Sequence, residues 1–263
     1  MKRIKIILLF LVVSNLIRAQ ENIDLFIWAG QSNAQGWMGN AAEYPKNEME
    51  LDNSILLNWT FYGKEGSNGE WITMQPQKGR FPLGHFGPEV SFARELKKAG
   101  YHPAIFKYCL GATGLARDWK APGAGGIYDN MIKDLRTAIQ KLKNKGFKVN
   151  ICGFIWIQGE SDGANDDYAS HYYANLKRLI DNLRFEVLNK PNLKIILGVD
   201  EQHKFMVERP LVVQAQKKIA RKKKNIIYTT MYGLPKADAT HLTPEGLVEH
   251  GKRIYEAFKL IFK

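Results

Sequence analysis

Residues 149–158 read VNICGFIWIQ, and this stretch decides the fold class. From residue 151 to residue 157 it has no charged or strongly polar side chain, so both faces of the strand that it predicts must be buried. Strands buried on both faces belong to parallel sheets that are covered by helices on each side. The stretch therefore predicts an α/β protein with a parallel central sheet.

Similar apolar segments alternate with segments of helical periodicity on either side of this stretch. Strands separated by helices of these lengths predict a parallel sheet covered on both faces. The predicted strands are residues 24–29, 103–110, 149–158, 193–199 and 225–230. The predicted helices are residues 89–99, 128–145, 168–188, 209–222 and 243–261, the last with Thr243 as its cap and Pro244 at its first position.

Residues 37–86 break the alternation. The segment is rich in Gly, Asn and Pro and contains Trp59, Trp71 and Phe81. It predicts a long excursion from the sheet with one or two short strands. Long loops in compact domains are usually functional.

The chain begins with Lys2, Arg3 and Lys5, followed by an apolar run at residues 6–13 and by small and polar residues up to Ala19. This pattern predicts a secretory signal over residues 1–19, and the run is too short to span a bilayer. A buried first strand or a membrane anchor is the alternative. The signal predicts a secreted or periplasmic protein with one domain, residues 20–263, and no stable membrane insertion after its removal.

The composition limits the possible classes. The 263 residues are 45% hydrophobic and 11% aromatic, which excludes a wholly disordered chain, and the formal net charge is +12. The densest basic cluster, residues 217–224, has no interleaved aromatic residue, so it predicts a solvated face and no nucleic-acid site. Cys109 and Cys152 are too few for a disulfide framework, and we expect buried thiols in core strands.

Metal and phosphate motifs are not found in the sequence. The histidines show no H-E-x-x-H or comparable ligand spacing. Residues 123–126 are glycine-rich but lack the Lys and Ser/Thr of a phosphate-binding loop. The sequence therefore predicts no metal and no cofactor.

Polar residues follow the first predicted strand directly, as Gly30, Gln31, Ser32 and Asn33. Functional sites of open α/β sheets form beyond the carboxyl ends of the strands. Ser32 is therefore expected at a tight turn that enters a helix or loop, where its hydroxyl is exposed. The flanking residues differ from a G-x-S-x-G elbow, and a helix cap is the alternative role.

Asp238 and His241 lie just before the last predicted helix. An imidazole can take the proton of a serine hydroxyl when a carboxylate fixes its tautomer. An aspartate three residues before a histidine can turn back onto the ring. The alternative is that Asp238 forms a turn and His241 lies on the surface.

Two further strand ends offer hydrogen-bond donors. Gly111 follows the strand of residues 103–110, where a bare backbone N–H can face a developing oxyanion. Gln158 ends its own strand, and its side-chain amide can supply another donor. A turn residue and a polar strand end are the respective alternatives.

Five stretches together resemble the SGNH hydrolase superfamily, in particular the sialate O-acetylesterase type close to the acetylxylan esterases of carbohydrate esterase family six. They run in the family's order over nearly the whole predicted mature chain. The resemblance implies a three-layer α/β/α sandwich with a parallel, flavodoxin-like central sheet. The stretches are residues 29–33 (AGQSN), 87–93 (GPEVSFA), 107–119 (KYCLGATGLARDW), 156–162 (WIQGESD) and 238–246 (DATHLTPEG).

The resemblance also implies a role for each candidate. Ser32 would be the nucleophile, His241 the base and Asp238 the residue that orients the base. The oxyanion hole would consist of the backbone N–H groups of Ser32 and Gly111 and the side chain of Gln158.

Other residues of these stretches are implied to surround the triad. They would either contact the substrate or hold the catalytic residues in position without touching the substrate: Gln31, Asn33 and Glu160. For Glu160 the alternative is a structural bond to Gln31 or to a loop amide. The family often has G-G-T-S-L where this chain has GATGL, and the extra Cβ of Ala112 can reshape the pocket.

The function that the resemblance implies is a secreted serine carbohydrate esterase. It would remove O-acetyl groups from a plant-type polysaccharide such as acetylated xylan through an acetyl-enzyme intermediate. A sialate O-acetylesterase and a catalytically silent carbohydrate-binding protein are the alternatives. Tryptophans in or near predicted loops can stack on sugars or fill the core: Trp37, Trp59, Trp71 and Trp119.

Overall fold

The computed structural model describes residues 20–61 and 65–261. The predicted signal at residues 1–19 lies outside the described residues. Within those two ranges, eight strands form one sheet with helices packed on both faces. No helix in the same ranges is both long and apolar enough to cross a membrane.

The sheet is mostly parallel. Its strands are β1 (Asn22–Gly30), β2 (Leu56–Phe61), β3 (Glu65–Gly66), β4 (Ile72–Thr73), β5 (Pro103–Cys109), β6 (Lys148–Ile157), β7 (Lys194–Val199) and β8 (Ile226–Thr230). Their order is β3-β2-β5-β1-β6-β7-β8, and β4 pairs with β2. Only β3 and β4 run antiparallel to their neighbour among the described strands. The order β5-β1-β6-β7-β8 is the flavodoxin-like order, so this prediction is confirmed.

The helices form the two outer layers. They are α1 (Ser32–Gln35), α2 (Glu89–Lys98), α3 (Ile127–Asn144), α4 (Glu160–Gly163), α5 (Asp166–Asp181), α6 (Lys204–Glu208), α7 (Leu211–Lys222) and α8 (Pro244–Leu260). Apolar residues of α3, α5 and α7 pack on one face of the sheet, and those of α2 and α8 pack on the other. The α/β/α sandwich is therefore confirmed.

Strand β1 shows why the sheet needs two helical layers. Successive side chains of a strand point to opposite faces. Leu25 and Ile27 belong to the core under α3, α5 and α7, whereas Phe26 and Trp28 belong to the core under α2 and α8. The ring of Phe26 lies edge to face 5.3 Å from that of Phe92 on α2. All four β1 side chains are fully buried.

The segment of residues 37–86 contains more strand than predicted. It forms β2, β3 and β4, and β2 extends the parallel ladder next to β5. The prediction of one or two short strands was wrong because β3 and β4 are two residues each, too short for a sequence pattern to indicate. The polar side chain of Asn58 on β2 is buried and donates to the Glu70 carbonyl. Cys109 on β5 and Cys152 on β6 are free and buried, as predicted.

Two helix boundaries also differ from the prediction. The predicted helix at residues 168–188 begins at Asp166, because the Asn165 side chain caps it, and ends at Asp181, where a wider π-type turn follows. The predicted helix at residues 209–222 begins at Leu211, directly after Pro210, and a separate short helix, α6, precedes it. The last helix has its predicted cap and first residue.

Candidate active site

The carboxyl ends of three neighbouring strands bring the candidate residues to one edge of the sheet. Gly30, the last residue of β1, is in register with the last residues of β5 and β6. The chain leaves the sheet at these points, and the residues that follow directly are those expected to form the site. They include Ser32, Gly111 and Gln158.

Ser32 is the first residue of α1 and lines a cavity. The turn before it depends on Gly30, which has a φ of 147°. A Cβ at this glycine would lie 2.0 Å from the carbonyl oxygen of Ile157, so no other residue fits the close approach. Ser32 is only 4% exposed, which corrects the expectation of an exposed turn.

Asp238 and His241 interact as the sequence predicted. His241 Nδ1 lies 2.8 Å from Asp238 Oδ2, while Asp238 Oδ1 accepts hydrogen bonds of 2.7 Å from the N–H groups of Thr240 and His241. Burial alone would raise the pKa of Asp238, but these bonds lower it to about 2. Asp238 therefore stays ionised and orients the imidazole.

Asn33 fixes the loop that carries His241. Its Nδ2 donates to the carbonyl of Thr240 at 2.9 Å, and its Oδ1 accepts from the N–H of Leu242 at 3.1 Å. Both neighbours of His241 in the chain are therefore bonded to the residue that follows Ser32. Asn33 itself is buried and does not line the cavity, so it supports the triad through these two hydrogen bonds.

Two further contacts hold the same loop, and the sequence did not indicate them. Lys236 bonds both the buried carboxylate of Asp200 and the carbonyl of Ala239. His203 Nε2 lies 3.1 Å from the hydroxyl of Thr240. The loop is thus bonded on several sides, which limits the movement of the imidazole.

Ser32 and His241 line one cavity of about 810 Å³. No direct hydrogen bond joins the two side chains in the part of the chain that the structure describes. Nucleophile and base often lie farther apart before substrate is bound. The other residues of the cavity wall are Gln35, Trp37, Phe61, Glu65, Arg80, Leu110, Gly111 and Ala112.

The backbone N–H of Gly111 is next to Ser32 but is not free. It donates to Oε1 of Gln35 at 2.9 Å. The expectation of a bare N–H at this position is therefore corrected. Ala112, where the family often has glycine, lies on the cavity wall with a φ of 59°, a left-handed conformation that costs a residue with a Cβ about 1–2 kcal/mol.

Gln158 does not contribute to the cavity. Its Nε2 donates to the carbonyl of Thr113 at 3.0 Å and to Asp162 at 2.6 Å, and its Oε1 accepts from the Tyr172 hydroxyl at 2.9 Å. The side chain is fully buried, and both amide hydrogens are used. The prediction of an oxyanion donor at Gln158 is therefore wrong for this structure.

Glu160 and Gln31 are also buried behind the cavity. Glu160 Oε1 accepts from the N–H of Asp200 at 3.4 Å, and Gln31 Oε1 accepts from the N–H of Gly159 at 3.2 Å. Burial raises the pKa of Glu160 to about 7, and the neighbouring Asp200 carboxylate adds to the rise. A bond to a loop amide, which was the structural role considered for Glu160, is therefore present.

Of the four tryptophans considered for sugar stacking, one lies in the cavity wall. Trp37 is half-buried there, and the guanidinium of Arg80 lies 3.9 Å from the centroid of its ring. Trp59, Trp71 and Trp119 are buried in the core. Three of the four therefore fill the interior, which was the alternative role.

The family follows from a comparison with known proteins. A family model described as carbohydrate esterase, sialic acid-specific acetylesterase matches residues 22–259. The chain belongs to this family. The match runs from the first strand to the last helix of the esterase, and the resemblance stated from the sequence is confirmed. The family implies an acetylated carbohydrate as substrate.

Individual relatives agree with this assignment. A protein of Arabidopsis thaliana named as a probable carbohydrate esterase is 28% identical to the esterase over 248 residues, 89% of this chain and 90% of that protein. A solved Arabidopsis thaliana structure has a TM-score of 0.67 at 24% identity and covers 92% of this chain and 100% of that chain. The crystal structure of NanS has a TM-score of 0.66 at 15% identity, with coverages of 92% and 98%. These structures share the fold of this chain.

Several cavity residues of the esterase were not found from the sequence. Gln35 lies three residues after Ser32, so a helix over these residues would have placed both on one face. Arg80 and Phe61 come from the long excursion, where no periodicity in the sequence indicates which way a side chain points.

Among residues 20–61 and 65–261, no three His, Cys, Asp or Glu side chains are grouped as metal ligands.

Proposed function

We propose that the esterase uses a serine mechanism in which an acetyl-enzyme forms on Ser32. The observation that carries the proposal is that His241, bonded through Nδ1 to Asp238, lines the same cavity as Ser32. The bond to the carboxylate places the ring proton on Nδ1 and leaves the lone pair on Nε2. Nε2 is then the base for the serine hydroxyl.

In the first step, Ser32 Oγ attacks the carbonyl carbon of an acetyl ester while His241 Nε2 takes the hydroxyl proton. The tetrahedral intermediate carries a negative oxygen. The backbone N–H of Ser32 can donate to it, because no acceptor bonds this N–H among the described residues. The intermediate collapses, and the sugar hydroxyl leaves with the proton from His241.

In the second step, water replaces the sugar. His241 takes a proton from the water, whose oxygen attacks the acetyl carbonyl carbon of the acyl-enzyme. Collapse of the second tetrahedral intermediate breaks the bond to Ser32 Oγ and returns the proton to it. Acetate leaves, and the enzyme is regenerated.

As the substrate we propose an O-acetylated plant-type polysaccharide such as xylan. The protein would encounter it outside the cell, after residues 1–19 have directed its export. The signal pattern supports an external substrate. The aromatic side chains of Trp37 and Phe61 on the cavity wall support a sugar ring as ligand.

A sialate O-acetylesterase is the second candidate. It is favoured by Arg80, which lines the cavity and whose guanidinium can pair with a sugar carboxylate. The description of the matched family also favours it. A silent carbohydrate-binding protein is the third candidate and would release no acetate.

The test is acetate release by the wild-type protein and the Ser32→Ala variant from 4-nitrophenyl acetate, acetylated xylan and O-acetylated sialic acid. Ser170→Ala, at an exposed serine of α5, is the matched control. We expect the wild type and the control to be active and Ser32→Ala to lose several orders of magnitude in kcat. Equal activity of Ser32→Ala would refute the serine mechanism, and the ratio of the two sugar rates separates the substrate candidates.

A further inference from the structure

We infer that the carboxamide of Gln35 is a catalytic hydrogen-bond donor of the oxyanion hole, acting in place of the Gly111 N–H. The inference rests on the proposed serine mechanism and names a residue that the mechanism needs. An oxyanion hole usually combines several donors aimed at one point. Two of the three expected donors, at Gly111 and Gln158, are already bonded within the protein.

The orientation of the Gln35 amide follows from its partner. A backbone N–H can only donate, so the Gln35 atom 2.9 Å from Gly111 N must be the oxygen. Nε2 is then the other end of the amide. The hydrogen bond from Gly111 is the only one that the Gln35 side chain makes within the described ranges, and Gln35 lines the cavity, so Nε2 has no protein acceptor there. Two N–H bonds are therefore available to a ligand.

Gln35 is also in the right place. It is the last residue of α1, one turn after Ser32, so both side chains lie on the same side of the helix. A Cβ built on Gly111 would lie 3.5 Å from the Ser32 Cβ and 3.5 Å from Gln35 Oε1. The carboxamide and the nucleophile therefore flank the same point of the cavity wall.

A buried ion pair holds Gln35 in position. Lys107 Nζ donates to the backbone carbonyl of Gln35 at 2.9 Å and lies 2.8 Å from the Glu89 carboxylate. Neither side chain of this pair is more than 1% exposed. The end of α1 is thus fixed before substrate binds, which is what a preorganised donor requires.

The Gly111 contact also makes the amide a better donor. A carboxamide whose oxygen accepts a hydrogen bond is polarised, and its N–H groups bind an anion more strongly. Gly111 therefore acts on the oxyanion through Gln35. In the first step, Gln35 Nε2–H and Ser32 N–H donate to the oxygen that was the acetyl carbonyl, and no proton is transferred to it.

The experiment uses Gln35→Ala and Gln35→Met, the second to keep the side-chain volume, with Gln140→Ala on the exposed face of α3 as control. The first readouts are kcat and KM on 4-nitrophenyl acetate. The second is the inhibition constant of an aryl trifluoromethyl ketone, which adds to a serine as a tetrahedral oxyanion. Melting temperatures verify that the variants fold.

We expect kcat to fall about 100- to 1,000-fold in both Gln35 variants with little change in KM. The inhibition constant of the ketone should rise by a similar factor, because the ketone adduct carries the same oxyanion. An unchanged or higher kcat would overturn the inference. Gln35 would then only accept the hydrogen bond from the Gly111 N–H and would not donate to the oxyanion. A fall in kcat without weaker ketone binding would also overturn it. An inactive wild type would instead contradict the proposed function.

Discussion

Asn33 Nδ2 donates to the carbonyl of Thr240 at 2.9 Å and so joins two segments that are 207 residues apart in the chain. One segment begins with Ser32, and the other ends with His241. The side chain of Asn33, which is itself outside the cavity wall, therefore links the loop of the base directly to the helix of the nucleophile.

Asn33→Ala should lower kcat about 10- to 100-fold, because the loop of His241 loses its link to α1. The free energy of unfolding should fall by about 2 kcal/mol, since the Thr240 carbonyl and the Leu242 N–H lose their partner. Steady-state kinetics and urea unfolding measure the two effects. Asn144→Ala, at an exposed position of α3, is the control, and equal kinetics for the two variants would contradict the account.

Asp238→Asn should lower kcat by about three to four orders of magnitude while the loop keeps its conformation. The asparagine oxygen can still accept from Thr240 N–H and His241 N–H, but its amide group favours the wrong tautomer of the imidazole. Kinetics on 4-nitrophenyl acetate and a circular dichroism spectrum test this. A loss of less than tenfold would show that the carboxylate does not orient the base.

Glu160 makes stability depend on pH. Its pKa is raised to about 7 in the folded protein, against 4.5 for an ordinary glutamate, so the folded state holds a proton that the unfolded state releases. The free energy of unfolding should therefore fall by about 3 kcal/mol as pH rises from 4.5 through 7 and then level off. Glu160→Gln should remove this contribution.

The measurement is chemical unfolding of the wild type and Glu160→Gln at pH 5 and pH 8. We expect the variant to gain stability relative to the wild type at pH 8 and to differ little at pH 5. The same difference at both pH values would show that Glu160 titrates normally. Glu245→Gln, at an exposed residue near the start of α8, controls for the loss of a surface charge.

Arg80→Ala separates the two substrate candidates. Arg80 is exposed, lines the cavity and stacks on Trp37. If its guanidinium pairs with a sugar carboxylate, KM for O-acetylated sialic acid should rise roughly tenfold while KM for acetylated xylan changes little. Equal changes for both substrates would show that Arg80 acts only through its contact with Trp37.

Much of the fold could be predicted because it follows from local patterns. Apolar stretches such as residues 149–158 identify the buried strands, and the parallel sheet then places the residues after each strand at one edge. The pairing of Asp238 with His241 is also local, since only two residues separate them. The number of strands in residues 37–86 was underestimated because β3 and β4 are two residues each and show no periodicity.

The donors at the site could not be predicted for the same reason. Whether the Gly111 N–H is free depends on the side chain of Gln35, and whether the Gln158 amide is free depends on Thr113, Asp162 and Tyr172. These are side-chain contacts between segments that are distant in the chain. Motif order can place such residues near each other but does not determine which hydrogen bonds they make.

The most direct measurement of the central claim is mass spectrometry of the enzyme quenched with acid during turnover of 4-nitrophenyl acetate. The account predicts one added acetyl group, located by peptide fragmentation on Ser32, in wild type and in Ser170→Ala. Ser32→Ala should show none. An acetyl group at another residue, or turnover in Ser32→Ala at the wild-type rate, would contradict the proposal that Ser32 is the nucleophile.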